Sequence, residues 1–235
     1  MKSDNLDITV CILSYNRPDY IVEALKSVCS QSIKPKEIRI YDNDSDDIVR
    51  NSIIKYLELG VKWIPAEFPS NNPRKNFRSA VKNISTKYVV MLHDDDKFCD
   101  DFLEIQVSFL EKNYEISAVS CNGYTVNKAG DRTGSLVLNK FNEFQMYHFK
   151  NSVEIAMVYA SDSCIPFSPI VYRTEHLLKV DFREGYGKVC DAVLLCDLAD
   201  FGNIALNGKP LYECRVHDNQ DSTYFEPVLM QMLED

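Results

Sequence analysis

The chain has 235 residues and a formal net charge of −9, with 26 Lys and Arg residues against 35 Asp and Glu residues. A chain of this length can bury the core of one α/β domain without disulfides or a structural metal. The acidic residues are spread along the whole sequence, and no block of Lys or Arg could neutralise a run of phosphates. We therefore expect no nucleic-acid partner.

Cysteine usage and hydropathy indicate the compartment. The eight cysteines lie mostly in apolar runs and never form a CxxC pair, so we expect buried, reduced thiols. Met1–Asp7 is polar and acidic, unlike a secretory signal. No apolar stretch approaches the roughly 18 residues that a membrane-spanning helix needs. These features favour a cytoplasmic protein.

Strands and helices alternate through the first half of the chain. Ile8–Leu13 is an apolar run rich in β-branched residues, which predicts a strand, and Pro18–Gln31 has apolar residues at helical spacing. This alternation predicts parallel pairing and a doubly wound sheet. Further strands are predicted at Glu37–Tyr41, Val61–Ile64 and Tyr88–Leu92, and further helices at Asp47–Leu59, Pro73–Asn83 and Phe102–Asn113.

The second half has a mixed pattern. Ala118–Val126 alternates and meets turn signals at Asn127–Gly130, which predicts antiparallel or mixed strands from there on. A helix is predicted at Asp191–Phe201, where Gly202 stops it, and a strand at Leu211–Val216.

Three polar loops follow predicted strands. They are Ser14–Arg17, Asp42–Asp46 and His93–Asp96. In open α/β sheets, ligands bind outside the carboxyl ends of the strands. We therefore expect these loops to form one binding site.

The acidic loop carries the strongest chemical signal. Asp94, Asp95 and Asp96 would repel one another unless solvent or a cation relieved them. Mg²⁺ and Mn²⁺ prefer such hard oxygen ligands. The alternative is a solvated turn that caps the next helix, just as Asp42–Asp46 could either contact a base and a ribose or cap the helix near Asp47. The residue types alone leave both interpretations open.

Together these segments resemble the family 2 glycosyltransferases of the GT-A fold. Ile8–Arg17 is similar to the opening strand and Tyr-Asn-Arg loop of the family, and Ser27–Ser32 to its Ser-Val-x-x-Gln-Ser helix end. Asp42–Ser45 resembles the Asp-Asn-x-Ser that holds the nucleoside, and Met91–Asp96 resembles the Asp-x-Asp-Asp segment. The resemblance covers nearly the whole chain.

The resemblance implies one α/β domain of the GT-A class. Residues of about 8–125 would form a Rossmann-like nucleotide-sugar-binding half with a mostly parallel central sheet. Residues of about 126–222 would form a mixed acceptor-binding and catalytic half, followed by a tail at 223–235.

The resemblance also implies a donor site and a metal site. Asp95 would bind a divalent cation, Mn²⁺ or Mg²⁺, and His217 in the late Arg-x-His segment would be a second ligand. His93, where many family members have an acid, and Asp96 are further possible ligands. A lone His after a strand could equally be structural. The implied nucleotide and donor contacts are Ser14, Tyr15, Asn16, Arg17, Asp42, Asn43, Arg74, Asn76 and Asp94.

The catalytic base is implied by Cys190–Leu198. This segment resembles Glu-Asp-x-Asp-Leu-x-Leu-Arg-Leu, in which the second acid is the base, and Asp191 holds that place. Cys190, Val193 and Asp197 depart from the pattern, and an Asp at a helix start can also be a cap. Arg215 is a candidate diphosphate contact, since a guanidinium pairs well with phosphate oxygens.

The implied function is inverting transfer of a sugar from a nucleotide-sugar donor, a UDP-sugar, to a hydroxyl of a glycan or lipid-linked acceptor. The family builds cell-surface polysaccharides, which implies a cytoplasmic protein with possible peripheral contact at the inner face of the membrane. Ser161–Pro169 resembles the variable acceptor region. The oligomeric state stays open.

Three other functions are compatible with parts of the sequence. A sugar-phosphate nucleotidyltransferase would need a Gly-rich phosphate loop, which Ser14–Arg17 does not provide. Glycoside hydrolysis would need a spaced carboxylate pair for which the sequence gives no sign. An inactive nucleotide-sugar-binding homologue is suggested by His93, Cys190 and Val193.

Overall fold

The computed structural model describes residues 5–43, 47–65, 72–161, 163–183 and 185–217. Within these ranges the chain forms ten strands and eight α-helices. The strands are β1 Leu6–Ser14, β2 Pro35–Asp42, β3 Lys62–Ile64, β4 Tyr88–His93, β5 Lys97–Phe98, β6 Ile116–Val126, β7 Arg132–Leu136, β8 Met146–Phe149, β9 Val171–Arg173 and β10 Asn203–Arg215. The helices are α1 Pro18–Cys29, α2 Asp47–Ser52, α3 Ile54–Glu58, α4 Pro73–Lys82, α5 Phe102–Lys112, α6 Ser152–Ala160, α7 Thr174–Leu177 and α8 Cys190–Leu198, and a 3-10 turn covers Gly187–Val189.

The predicted alternation of strands and helices in the first half is confirmed. β1 lies between β2 and β4 and is parallel to both, with Ile12 opposite Ile40 on one side and Leu92 on the other. β3 adds parallel to β2. The single helix predicted at Asp47–Leu59 is wrong, because α2 and α3 are separated at Ile53. The side chain of Ile53 is fully buried. Packing of this side chain in the core outweighs the local helix propensity that would have continued the helix.

The second half completes the same sheet. β9 is antiparallel to both β4 and β6, so β6 runs in the direction of β4. β10 runs parallel to β6 and antiparallel to β5 and β8, and β7 pairs antiparallel with β6. Mixed pairing is confirmed, but β10 begins well before the predicted Leu211. Its pairing register shifts at Asn207–Pro210, and a strand interrupted by Gly208 and Pro210 has no clean alternation to detect.

Two layers cover the two faces of the sheet. Along β4, Val90 and Leu92 pack in the core that contains α1 and α5, while Val89 and Met91 pack in the core that contains α4, α6 and α8. Side chains alternate between faces along a strand, and a sheet covered on both faces reads as a continuous apolar run. This explains why β4 was recognisable in the sequence.

The sheet order brings several strand ends together. The order is β3-β2-β1-β4-β9-β6-β10-β5, with β7 on β6 and β8 on β10. β2 and β4 flank β1, so the order reverses there, which is where ligands bind in such sheets. β1, β2, β4, β6 and β10 all point their carboxyl ends to the same edge.

Two further expectations concern cysteines and membranes. All eight cysteines are free; Cys11, Cys121 and Cys190 are buried as predicted, and the other five are half-buried. Across the described part of the chain, none of the helices combines the length and the apolarity that crossing a membrane would require.

Candidate active site

The acidic turn after β4 lies at the sheet edge where the parallel strands end. Asp94, Asp95 and Asp96 are 1%, 9% and 5% exposed, and His93 beside them is half-buried. Carboxylates with so little contact with water need partners, because a buried unpaired charge is costly. The solvated turn considered from the sequence is therefore not what the fold contains.

The loop after β1 supplies the partners of Asp94. The backbone N–H of Tyr15 donates to Asp94 Oδ2 at 2.9 Å, and Arg17 Nη1 donates to Asp94 Oδ1 at 2.9 Å. Arg17 Nη1 also lies 2.9 Å from Asp95 Oδ2. Asn16, between Tyr15 and Arg17, has a φ of +50°, a left-handed conformation that Asn tolerates better than most residues. The first and third predicted loops therefore form one hydrogen-bonded unit.

Asp95 lies at the centre of a group of potential metal ligands. His217 Nε2 is 3.0 Å from Asp95 Oδ2, directly after β10. One ligand atom each from His93, Asp95 and Asp96 lies within 4.8 Å of the others. Two ligands on opposite sides of a Mg²⁺ ion at about 2.1 Å would be about 4.2 Å apart, so these atoms fit one ion after small side-chain rotations. Carboxylate oxygens with imidazole suit Mn²⁺ as well as Mg²⁺.

The three carboxyl groups titrate differently. Burial, with the neighbouring charge of Asp95, raises the pKa of Asp94 to about 6 and that of Asp96 to about 7. Burial also acts to raise the pKa of Asp95, but the charges of His93 and Arg17 and the hydrogen bond to His217 hold it below its usual value. Without a metal, Asp95 thus ionises at a lower pH than either of its two neighbours.

We expect the metal-free protein to lose stability as the pH rises from 5 to 8. The folded pKa values of Asp94 and Asp96 lie above the ordinary value of 3.8, so the folded state binds more protons in this window. Raising the pH then favours unfolding, by about 4 kcal/mol for the two groups together, with Asp96 contributing the larger part. Urea unfolding in EDTA at several pH values, compared between the wild type and Asp96→Asn, measures this difference.

Asp100 is exposed, so Asp100→Asn is the matched control. The free energy of unfolding of this variant should depend on pH as that of the wild type does. Mn²⁺ should stabilise the wild type more at pH 8 than at pH 5, because it competes with protons for the same oxygens. A free energy of unfolding that is equally pH-dependent in the wild type and in Asp96→Asn would contradict the assignment.

Arg215 holds the acidic turn from behind. Its side chain is fully buried, its Nε donates to the carbonyl of Asp95 at 3.1 Å, and its backbone N–H donates to Asp96 Oδ1 at 3.1 Å. The sequence predicted that Arg215 contacts the diphosphate, and this prediction is wrong. The guanidinium is buried and all of its nitrogens donate to groups of the protein. Its other partners are Glu23 Oε2 at 2.7 Å, the carbonyls of Asn127 and Lys128 at 3.3 and 2.8 Å, and the ring of Tyr20 at 4.4 Å.

The loop after β2 is tied to its neighbours through Asn43. The Asn43 N–H donates to the carbonyl of Ser14 at 2.8 Å, and Asn43 Oδ1 accepts from the N–H of Asn72 at 3.2 Å. Asn76 Nδ2 donates to the carbonyl of Tyr41 at 2.8 Å, so this predicted donor contact has a structural bond. Asp42 and Asn43 are each 5% exposed. Asp44, Ser45 and Asp46 lie outside the described residues.

Ser14 Oγ differs from the other polar atoms of this edge. It is buried and has no hydrogen-bond partner within the residues that the structure describes. Buried hydroxyls normally have a partner, so an unsatisfied one at a sheet edge calls for an explanation. A ligand that reaches the loop after β1 would provide it.

Asp191 lies in the first turn of α8. Val189 precedes the helix as its N-cap and makes no side-chain cap bond, so the capping role considered for Asp191 is not seen. Asp191 is half-buried, and Cys190 Sγ donates to its Oδ1 at 3.4 Å. Burial raises the pKa of Asp191, while the charges of His93 and Arg74 act to lower it.

Sequence reasoning placed Ser168 only in the acceptor region and missed both its contact with the acidic turn and the role of Arg215. Ser168 Oγ accepts from the N–H of His93 at 3.1 Å. It belongs to the predicted acceptor region, where one polar residue between Phe167 and Pro169 was the available signal. Arg74 was predicted to contact the nucleotide-sugar donor. In the structure its Nη2 donates a hydrogen bond to the carbonyl of Gly187 at 2.6 Å. Asp162 and the late segment after His217 lie outside the described residues.

Comparisons with known proteins agree on one family. The family model described as glycosyl transferase family 2 matches residues 9–175. An uncharacterized glycosyltransferase of Rickettsia conorii is 36% identical over 107 residues, which cover 45% of this chain and 17% of that protein. Chondroitin synthase of Escherichia coli is 25% identical over 228 residues, which cover 92% of this chain and 30% of that protein. The chain thus spans less than a third of these two relatives.

A solved structure shows a similar fold. S. aureus TarS in complex with UDP-GlcNAc superposes with a TM-score of 0.71 at 20% sequence identity. The superposition covers 96% of this chain and 65% of that one.

Proposed function

The chain belongs to glycosyl transferase family 2 and has its GT-A fold, and from this premise we propose that it moves a sugar from a UDP-sugar to a hydroxyl of a glycan or lipid-linked acceptor, with inversion. The observation that carries the proposal is the meeting, at one sheet edge, of the loop after β1 and the acidic turn. Similarity to chondroitin synthase and to TarS with UDP-GlcNAc supports polysaccharide synthesis and a UDP donor.

The donor would bind at the carboxyl ends of β1, β2 and β4. Asp42 and Asn43 would contact the nucleoside, and Ser14 Oγ would gain the partner that it lacks within the described residues. Asp94, held by Tyr15 and Arg17, would face the ribose. We assign the donor to residues of about 8–125 and the acceptor to residues of about 126–222.

Asp95 would hold a divalent cation together with His217, and His93 and Asp96 lie close enough to contribute. When bound, such a cation stabilises the negative charge that develops on the β-phosphate as the sugar leaves. Arg17 lies next to the same carboxylates and would neutralise charge there as well. Arg215 would keep the acidic turn in place by its bonds to Asp95 and Asp96.

Asp191 would be the general base. It would accept the proton of the acceptor hydroxyl as that oxygen attacks the anomeric carbon from the face opposite the leaving diphosphate. One displacement of this kind inverts the configuration. Burial raises the pKa of Asp191, which makes the carboxylate a stronger base.

The test is release of nucleoside diphosphate from a panel of UDP-, GDP- and dTDP-sugars with Mn²⁺, Mg²⁺ or EDTA. We expect turnover of a UDP-sugar that EDTA abolishes and that Mn²⁺ restores. A second function would give a different result, since a nucleotidyltransferase would release pyrophosphate from a nucleoside triphosphate and a sugar phosphate. Metal-dependent donor binding without turnover under any acceptor would indicate an inactive homologue. Failure to bind any nucleotide sugar would refute the proposal.

A further inference from the structure

Arg74 connects two segments that are far apart in the sequence. It lies in the first turn of α4, and its Nη2 donates to the carbonyl of Gly187 at 2.6 Å, 113 positions away. Gly187 opens the 3-10 turn Gly187–Val189, which runs directly into α8. Asp191 is the second residue of α8. A constraint on Gly187 is therefore a constraint on the helix start that carries Asp191.

The turn before α8 needs such a constraint. Gly185 and Gly187 have φ values of +98° and +50°, and glycine loses more conformational freedom on folding than any other residue. Val189, the N-cap of α8, makes no side-chain cap bond. The body of α8 is fixed by burial of Ala192–Leu195, whereas Asp191 in its first turn is only half-buried. Within the first turn, Asp191 is thus fixed less by packing than its neighbours Cys190 and Ala192, which are buried.

The other end of the contact is well anchored. Asn72 caps α4 by accepting from the N–H of Lys75 at 3.1 Å, and its own N–H donates to Asn43 Oδ1 at 3.2 Å. Asn76 Nδ2 on the same helix donates to the carbonyl of Tyr41 at 2.8 Å. The start of α4 is therefore fixed to the loop after β2, and Arg74 extends this rigid unit to Gly187.

We propose that Arg74 is a positioning residue, which holds Asp191 at the site through the carbonyl of Gly187 and is not a ligand of the donor diphosphate. This inference rests on the proposed function, because it assigns a role to the support of the proposed base. The 3-10 turn leads directly to Cys190, the residue whose Sγ donates to Asp191, so the bond from Arg74 to Gly187 lies three residues before the partner of the proposed base.

Steady-state kinetics distinguish the two roles of Arg74. We expect Arg74→Ala to lower kcat roughly 10- to 100-fold, because a small displacement of a catalytic group has effects of this size. The donor KM should stay within about twofold of the wild type, as for loss of an interaction that acts only in the transition state. Arg74→Lys should recover part of the rate, since an ammonium can donate to one carbonyl. Lys82→Ala, an exposed cation on the same helix, is the control that should leave kcat unchanged.

Two further measurements make the outcome decisive. Amide exchange over residues 187–195 should be faster in Arg74→Ala than in Lys82→Ala, with equal global stability. Gly187→Ala, which is strained by its positive φ but meets no atom within 4 Å, should lower kcat too, and the two changes together should cost less than their sum. A tenfold rise in donor KM at unchanged kcat, or unchanged exchange, would overturn the proposal. A wild type without turnover defeats the proposed function instead, and the exchange result still decides whether Arg74 holds the turn.

Discussion

Replacing Asp191 with Asn should lower the rate of sugar transfer about 10³-fold while donor binding stays unchanged, since removal of a general base typically costs 10²- to 10⁴-fold. Asn has nearly the same shape as Asp and can still accept the hydrogen bond from Cys190. The fold should therefore survive, and only the ability to take a proton is lost. Product release in single turnover and donor binding by calorimetry measure the two properties separately.

Asp197→Asn is the matched control for this experiment. Asp197 lies on the same helix and pairs with the exposed Arg183, so its change should alter the rate by less than about twofold. Wild-type activity should fall on the acidic side at a pH above the ordinary titration of Asp, because burial raises the pKa of Asp191 and protonation removes the base. Transfer by Asp191→Asn within tenfold of the wild type would exclude Asp191 as the base.

Replacing Asp95 with Asn should lower turnover by on the order of 10³-fold and abolish the effect of Mn²⁺ on donor binding. Asp95 Oδ2 is the oxygen that lies 3.0 Å from His217 Nε2 and 2.9 Å from Arg17 Nη1. A neutral amide in its place removes the ionised carboxylate at the centre of the candidate ligands. Calorimetric titration with Mn²⁺, alone and with the donor, measures the loss.

The exposed Asp100, close by in the sequence, provides the control with the same change of charge. Asp100→Asn should bind Mn²⁺ and donor as the wild type does. Circular dichroism during heating checks that Asp95→Asn is folded. Equal Mn²⁺ affinity in Asp95→Asn and the wild type would place the metal elsewhere and refute the assignment.

The elements that the sequence predicted well are those whose environment is uniform. β1 and β4 are covered on both faces, so their residues form continuous apolar runs, and α1 has a Pro in its first turn and a single buried face. β9 and α7 are three and four residues long, too short to show a period. The first part of β10 was not predicted, because the register shifts near Pro210 interrupt the alternation of apolar and polar residues.

The candidate site also contains residues whose positions were predictable from the sequence and residues whose positions were not. Asp94 and the loop carrying Tyr15 were predictable as neighbours, because parallel strands place their carboxyl ends at one edge. The location of Arg215 was not, since an Arg near a strand end is usually exposed. Its burial depends on acceptors at Glu23, Asp95 and Lys128 that only the folded chain brings together.

The bond between Arg215 and Asp95 also sets an order of events during synthesis. The two residues are 120 positions apart, and a nascent chain exposes its amino-terminal part first. The strands that lead to the acidic turn are thus synthesised long before the segment that closes behind it. The closure entropy of this long loop is offset only when β10 docks beside β6. On the ribosome, the site is therefore completed only after Arg215 has been synthesised, and a chain interrupted before this residue lacks its bonds to Asp95 and Asp96.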